Sequence, residues 1–222
     1  MKRIAVFASG GGSNSDALAA YLGALGKNAP AEVVVVVSHR STAGALERAK
    51  KRGIATATIA NPANAEAILA LLAEYRVDLI VLAGYLKHVP AVVTEAYAGR
   101  IVNIHPALLP RHGGSGMYGP RVHVAVLEAG DKESGATVHF VDAQYDRGAT
   151  IVQARVPVDP GDTPELLAAR VLRAEHFVLP RAVHALANGS VRLGADGETV
   201  IATSAVSLFA GPPAGMTVAL GG

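Results

Sequence analysis

The chain of 222 residues contains no cysteine and no tryptophan, and aromatic residues make up only 5% of it. The lack of cysteine excludes disulfides and a cysteine nucleophile, and it fits a cytoplasmic chain. Because aromatic side chains are scarce, the core has to be built mainly from Ala, Val and Leu. Hydrophobic residues form 50% of the chain and charged residues only 17%, so a sizeable core can form and long disordered segments are not expected.

A large excess of one charge and a long apolar run are also missing. The formal net charge of +2 is too small to indicate nucleic-acid binding, and no basic stripe dominates the sequence. The apolar run near the start is too short for a secretory signal, and no run has the length of a membrane span. We therefore expect a cytoplasmic protein that binds neither nucleic acid nor a membrane, and we expect it to be a monomer or a homodimer.

The first half of the chain alternates short aliphatic runs with longer Ala-rich stretches. The runs predict four strands, at Ile4–Ala8, Val33–Ser38, Thr56–Ile59 and Asp78–Ala83. The Ala-rich stretches predict three helices, at Ser15–Leu25, Thr42–Arg52 and Ala63–Tyr75. Repeated strand–helix alternation is typical of the α/β class, with an open, mostly parallel twisted sheet and helices on both faces.

The second half is less regular. We predict strands at Ile101–Ile104, Ala136–Val141 and Thr150–Val156, and helices at Arg121–Glu128 and Glu165–Asn188. The Gly-rich tail from Ser190 predicts a small hairpin and a loose end. Since no linker or internal repeat divides the chain, we expect a single domain over 1–222, with a core at about 3–188 and a C-terminal extension at 189–222.

A glycine-rich turn, Ser9–Asn14, follows the first predicted strand and precedes a predicted helix. Glycines allow the backbone to approach an anion closely, and the N–H groups at a helix N-terminus attract one. Ser13 and Asn14 can cap that helix or donate to a phosphate. The glycine spacing fits neither a dinucleotide fingerprint nor a Walker loop, so a monophosphate fits best. A tight turn that binds nothing is the alternative.

Three polar side chains follow predicted strands farther along. Asn103 and His105 lie at the end of one strand and point to the same side by alternation, and Asp146 lies in a turn downstream. A carboxylate near an imidazole orients it and favours its charged form. An amide and an imidazole could then stabilise a developing oxyanion while an amine attacks an acyl carbon. Alternatively, Asn103 and Asp146 are ordinary turn residues and His105 is a core histidine.

Four motifs carry a resemblance to a known family. They are Asn103–Pro110 (NIHPALLP), Gly135–Val141 (GATVHFV), Tyr145–Gly148 (YDRG) and Ile151–Ala154 (IVQA). Together they resemble the formyltransferases that use 10-formyltetrahydrofolate, in order and over about residues 3–188. The resemblance implies a Rossmann-like formyltransferase fold, 10-formyltetrahydrofolate as co-substrate, and catalysis by Asn103, His105 and Asp146, with Asp146 also helping to position a water.

Within that family, the loop Ser9–Asn14 is similar to the phosphate loop of the members that act on 5′-phosphoribosylglycinamide. The resemblance thus implies transfer of the formyl group to the amine of that substrate, in purine biosynthesis. The lengths before the first strand and after the last helix lead us to expect neither the extra domain of a formyltetrahydrofolate deformylase nor that of a tRNA formyltransferase. A formyltetrahydrofolate hydrolase, another formyltransferase and a non-catalytic binder of a phosphorylated metabolite remain as alternatives.

The resemblance also assigns binding residues by position. Those implied to hold 5′-phosphoribosylglycinamide are Gly11, Gly12, Ser13, Asn14 and Ser15 at the phosphate and Glu175 at the ribose. Those implied to contact the folate are Leu86, Lys87, His88, Val89, Asn103, Val141, Asp142, Ala143, Gln144, Tyr145 and Asp146.

Two features depart from the family pattern. The family often uses an Arg after the third strand for the folate glutamate tail, whereas no Lys or Arg occurs between Gly53 and Glu74. The loop Arg111–Val122 is longer than in many relatives, although some members carry a similar Gly-Met-Tyr-Gly, and its glycines predict a mobile flap over the substrate. His112 and His123 lack a third ligand at metal-binding spacing, so we expect surface histidines and no metal.

Overall fold

The computed structural model describes residues 1–142 and 146–221. Its described part forms two compact units, Met1–Asn103 and Ile104–Gly222. The single-domain organisation expected from the sequence stays a prediction. In the described part of the chain, no helix has both the length and the apolar character that crossing a membrane requires.

The first unit alternates strands and helices. Its strands are β1 (Lys2–Phe7), β2 (Ala31–Ser38), β3 (Ala55–Thr58) and β4 (Leu79–Ala83), and its helices are α1 (Ser13–Leu25), α2 (Gly44–Lys51), α3 (Ala65–Glu74) and α4 (Ala91–Ala96). The strand order is β4-β1-β2-β3, and all these pairs are parallel. Strand β5 (Ile101–His105) lies next to β4 and continues into the second unit.

The buried apolar runs of the sequence form the middle of this sheet. Ile4 pairs with Val33 on one side and Leu79 on the other, and it is fully buried. The valine run in β2 is buried at Val35–Val37 but partly exposed at its start. Continuous apolar strands are typical of parallel sheets that are covered on both faces. The predicted α/β class with an open, mostly parallel sheet is thereby confirmed.

The second unit is mostly antiparallel. Its elements are α5 (Pro120–Glu128), β6 (Glu133–Phe140), β7 (Thr150–Pro157), α6 (Pro164–Ala187), β8 (Val191–Leu193), β9 (Thr199–Ile201), α7 (Thr203–Val206) and β10 (Thr217–Leu220). Its part of the large sheet has the order β10-β7-β6-β5, with antiparallel pairs β6–β7 and β7–β10. The long helix α6 packs on β6, β7 and α5, and β8 and β9 form a separate antiparallel pair.

Three local predictions need correction. Helix α1 begins at Ser13, two residues earlier than expected, with Gly12 as its N-cap; Ser13 and Asn14 are therefore helical residues and not caps. The six-residue helix α4 was not predicted, because one and a half turns carry too little periodicity. The tail does not end loosely: β10 pairs with β7, a long-range contact that local sequence does not encode.

Candidate active site

The glycine turn of the first unit is held in one conformation by α2. Gly12 has a φ of 77°, and a Cβ there would lie 2.5 Å from the Cα of Ala45, so only glycine fits. The N–H of Ala45 donates to the carbonyl of Gly10 (3.0 Å), and Arg48 Nε donates to the carbonyl of Gly11 (2.9 Å). Contacts with α2 thus fix the backbone conformation of the turn at the start of α1.

The predicted phosphate-binding residues occupy the start of α1. Gly11 is exposed, Gly12, Ser13 and Asn14 are partly exposed, and Ser15 is buried. The first turn of an α-helix directs backbone N–H groups away from the helix, and the helix dipole favours an anion there. The arrangement can therefore receive a phosphate at the turn.

The segment that follows β4 is tied to the same turn. Ser9 is fully buried, and its Oγ accepts from the N–H of Leu86 (2.9 Å) and lies 3.2 Å from Nδ1 of His39. The N–H of Ser9 also donates to the carbonyl of Gly84 (3.0 Å). Burial, with Lys87 and Arg40 nearby, lowers the pKa of His39 below its usual value, so a neutral ring can accept from Ser9. None of these three contacts was predicted from the sequence.

The four residues expected beside the pterin differ in exposure. Val89 is buried, whereas Leu86, Lys87 and His88 are exposed. Leu86 presents 46% of its surface, so an apolar side chain is accessible in this segment. An exposed apolar side chain fits a flat ring system better than it fits a charged ligand.

In the second unit, a buried imidazole faces a carboxylate. His105, at the end of β5, is 4% exposed, and its Nδ1 lies 3.6 Å from Oδ2 of Asp146. Its Nε2 lies 2.8 Å from the carbonyl oxygen of His112. Asp146 accepts from the N–H of Gly114 (2.9 Å), and its Oδ1 lies 3.5 Å from Nε2 of His139. The structure brings together two side chains that lie 41 positions apart in the sequence.

Burial and charge act in opposite directions on this pair. Burial lowers the pKa of His105 and outweighs the raising effects of Asp146 and of the His112 carbonyl. Burial would raise the pKa of Asp146, but His139, His105 and the Gly114 N–H together bring it below its usual value. The carboxylate is charged at neutral pH. Asp146 favours the charged imidazole as expected, but it does not overcome desolvation in this structure.

The other predicted site residues differ in exposure. Asn103 precedes His105 by two positions on β5 and is partly exposed. Glu175, on α6, is 8% exposed, and a buried carboxylate is a strong hydrogen-bond acceptor. Val141 is partly exposed and Asp142 is exposed. The remaining expected folate contacts, Ala143, Gln144 and Tyr145, lie outside the described residues.

His112 and His123, which were expected on the surface, are largely buried. His123 is 5% exposed, and its Nδ1 has no hydrogen-bond partner among the residues that the structure describes. The His112 side chain is 13% exposed and lies 2.8 Å from Asp131. Both expectations were wrong because the loop and α5 fold inward, which local sequence does not show. Within 1–142 and 146–221, no group of three or more His, Cys, Asp or Glu could hold a metal ion.

The geometry is compatible with acyl transfer and with hydrolysis. A buried imidazole can donate to a developing oxyanion, and a carboxylate beside it can accept a proton or orient a water. Comparison with known proteins defines the class: the chain belongs to the formyl transferase family, whose model matches residues 2–183.

The relatives specify a member of that class. The phosphoribosylglycinamide formyltransferase of Arabidopsis thaliana, named as chloroplastic, is 39% identical over 90% of this chain and 70% of its own length. That of Haemophilus influenzae is 38% identical over 87% of this chain and 91% of its own. The trifunctional purine biosynthetic protein of Drosophila melanogaster is 41% identical over 88% of this chain, which spans 14% of that protein.

Solved structures agree with the sequence relatives. Glycinamide ribonucleotide transformylase 1 of Symbiobacterium toebii is similar with a TM-score of 0.82 and 38% identity, over 91% of this chain and 94% of that one. A formyltetrahydrofolate deformylase of Pseudomonas syringae has a TM-score of 0.77 at 24% identity, over 90% of this chain and 66% of that one. At that identity, the deformylase shares the fold alone.

Proposed function

We propose that the protein transfers the formyl group of 10-formyltetrahydrofolate to the amine of 5′-phosphoribosylglycinamide in purine biosynthesis. The observation that carries this proposal is the buried pair of His105 and Asp146, 3.6 Å apart, in a chain of the formyl transferase family. The similarity to the enzymes of Haemophilus and Symbiobacterium, over 87% and 91% of this chain, supports a transferase of this specificity.

The reaction needs no nucleophile from the protein. A bond forms between the amine nitrogen and the formyl carbon, the bond from that carbon to the folate nitrogen breaks, and one proton passes from the amine to the folate. The folate supplies the formyl group. The amide of Asn103 and the imidazole of His105 donate to the oxygen that becomes negative, and Asp146 helps to position a water that relays the proton.

Binding of the phosphorylated substrate is assigned to two places. The turn at Gly11 and Gly12 and the first residues of α1, Ser13, Asn14 and Ser15, would bind the phosphate through backbone N–H groups. The fixed geometry of Gly12 supports this role, because a preformed turn loses little entropy when the anion binds. Glu175 would accept hydrogen bonds from the ribose hydroxyls, for which a largely buried carboxylate is suited.

Binding of the folate is assigned to the backbone of Leu86–Val89 and of Val141–Asp146. The exposed apolar side chain of Leu86 supports a ring-stacking surface there. Recognition of a folate glutamate tail is not assigned to the stretch between Gly53 and Glu74, since it contains no cation. A cytoplasmic location and a monomeric or homodimeric state complete the proposal.

Hydrolysis of 10-formyltetrahydrofolate is the alternative that uses the same residues. Water would then replace the amine, and formate would be released. A spectrophotometric assay with and without 5′-phosphoribosylglycinamide separates the two reactions. We expect folate turnover only when the amine is present, and a formylated product in equal amount. Formate release that does not depend on the amine would contradict the proposal.

A further inference from the structure

The Gly-rich loop after β5 folds back onto His105. The carbonyl oxygen of His112 lies 2.8 Å from Nε2 of His105, and the N–H of Gly114 donates to Asp146 at 2.9 Å. Two backbone groups of one short segment therefore contact both members of the pair. Gly113 permits this approach, because a Cβ there would lie 2.4 Å from Leu109 Cδ2 and 3.4 Å from the Cβ of Asp146.

The contact with His112 decides which nitrogen of His105 carries the hydrogen. A carbonyl oxygen can only accept a hydrogen bond, so Nε2 must be the donor. In a neutral imidazole the other nitrogen, Nδ1, then has no hydrogen. Any second proton binds at Nδ1, which lies 3.6 Å from Asp146. The loop thus selects Nδ1 as the nitrogen of His105 that gains and loses a proton.

The side chain of His112 fixes its own carbonyl. Its Nε2 lies 2.8 Å from Oδ2 of Asp131, and Arg111 lies 2.6 Å from Oδ1 of the same carboxylate. Asp131 is 11% exposed, whereas Arg111 is 65% exposed. The hydrogen bond from His112 is the main cause that lowers the pKa of Asp131, so Asp131 is a carboxylate at neutral pH. His112 also has a φ of 54°, a conformation that needs such support in a non-glycine residue.

We propose that His112 and Asp131 are positioning residues of the active site. Asp131 holds the His112 side chain, and the His112 carbonyl holds Nε2 of His105. Nδ1 is left as the nitrogen that takes up a proton and, once protonated, donates to the developing oxyanion. This inference rests on the proposed function for the role of His105, but the hydrogen-bond relay itself does not. The charged and titratable groups that face His105 are Asp146, His139, His112 and His123.

The first test is the position of the hydrogen on His105, measured by ¹⁵N NMR of the imidazole side chains at alkaline pH. We expect wild-type His105 to carry its hydrogen on Nε2. In Asp131→Asn we expect a mixture of both tautomers, because a neutral amide accepts the hydrogen bond from His112 more weakly than the carboxylate does and holds the His112 carbonyl less firmly. We also expect kcat to fall by about 10- to 100-fold with KM within about twofold, and the acid limb of the kcat–pH profile to shift.

Matched variants separate this relay from a general loss of charge. Glu133→Gln removes the same charge two positions away from Asp131, at a side chain that is 56% exposed. Arg111→Gln removes the exposed partner of Asp131 and leaves His112 in place. We expect both variants to keep the wild-type tautomer, kcat and pH profile. An effect of Arg111→Gln equal to that of Asp131→Asn would contradict a route through His112.

His112→Asn is the second variant, for use also if Asp131→Asn does not fold. Asn tolerates a positive φ but lacks the imidazole that reaches Asp131, so the same tautomer mixture and fall in kcat are expected. Wild-type His105 with its hydrogen on Nδ1, or folded variants with unchanged tautomer and pH profile, overturn the inference. Because NMR needs no turnover, a correct tautomer in a protein without formyl transfer would refute the proposed function and leave the relay intact.

Discussion

Backbone strain is concentrated around one imidazole. Among the described residues, three non-glycine positions have a positive φ: Arg76, His112 and Asp146. Two of these, His112 and Asp146, contact His105. A left-handed conformation costs about 1–2 kcal/mol for an ordinary residue, so the contacts that these residues make must offset it. Strain of this kind is typical of sites where precise placement matters more than stability.

Replacing Asn103 tests the oxyanion role of its amide. We expect Asn103→Ala to keep the fold and to lose about 10²- to 10³-fold in kcat, which is typical for the loss of one oxyanion donor. Steady-state kinetics with both substrates measure the effect, and circular dichroism checks the fold. Asn28→Ala, at an exposed residue, is the control and should behave as wild type. A near-wild-type kcat in Asn103→Ala would remove the amide from the mechanism.

Turns that follow the strands supply most of the proposed site, and each is shaped by a few backbone contacts. The turn after β1 is held by α2, through Ala45 and Arg48. The loop after β5 is held by Asp131, which follows α5. In both cases, an element to which the proposal assigns no chemical role fixes the conformation of a segment to which it assigns one. Open α/β sheets bind ligands at such turns.

The glycine turn gives a direct comparison between two neighbouring positions. In Gly12→Ala, a Cβ would collide with Ala45, and the positive φ alone would cost about 1–2 kcal/mol. We therefore expect a lower Tm and a raised KM for 5′-phosphoribosylglycinamide. In Gly10→Ala the new Cβ would have nothing within 4 Å, so both quantities should stay near wild type. Equal effects of the two substitutions would refute a specifically shaped turn.

The tail after α6 is part of the packed structure. Phe209 is 5% exposed, and Val206, three positions earlier, is 53% exposed. We expect Phe209→Ala to lower the free energy of unfolding by about 3–5 kcal/mol, as for other buried phenylalanines. Val206→Ala should change it by less than about 0.5 kcal/mol. Denaturant unfolding measures both values, and a small loss in Phe209→Ala would mean that the tail packs weakly in solution.

The stability of the whole molecule should depend on its buried histidines. Burial is the main cause that lowers the pKa values of His105 and His123 below 6.5. Below pH 6.5, these histidines bind protons in the unfolded chain more readily than in the folded chain. The free energy of unfolding that they contribute is therefore fully present above that pH and decreases as the pH falls. The folded protein should thus become less stable on mild acidification.

Thermal unfolding at about pH 8 and about pH 5.5 tests this dependence. We expect the Tm to be lower at the acid pH. We expect His123→Leu to reduce this difference in Tm, because the variant lacks a buried imidazole whose protonation burial disfavours. His88→Leu, at an exposed position, is the control and should keep the wild-type difference. A Tm that does not fall on acidification, or a His123→Leu variant with the full difference, would contradict the role of these histidines.

Local patterns predicted most elements of the fold and the main members of the proposed site. The strands β1 to β7 and the helices α1, α2, α3, α5 and α6 were expected within a few residues of their observed bounds, because periodicity, glycine and proline act over short distances. Asp146 was selected by its motif, and the structure places it beside His105. Helix α4, strand β10 and the inward positions of His112 and His123 were missed.

Composition and motif order were sufficient to predict a parallel α/β protein, a phosphate-type turn and an Asn, His and Asp set, since each of these predictions depends on local properties of the chain. Three other features depend on contacts between distant segments. They are the relay from Asp131 through His112 to His105, the hydrogen bond from the Leu86 N–H to Ser9, and the pairing of β10 with β7. Such contacts form only when packing brings the segments together, and neither residue of a pair carries a local signal for the other.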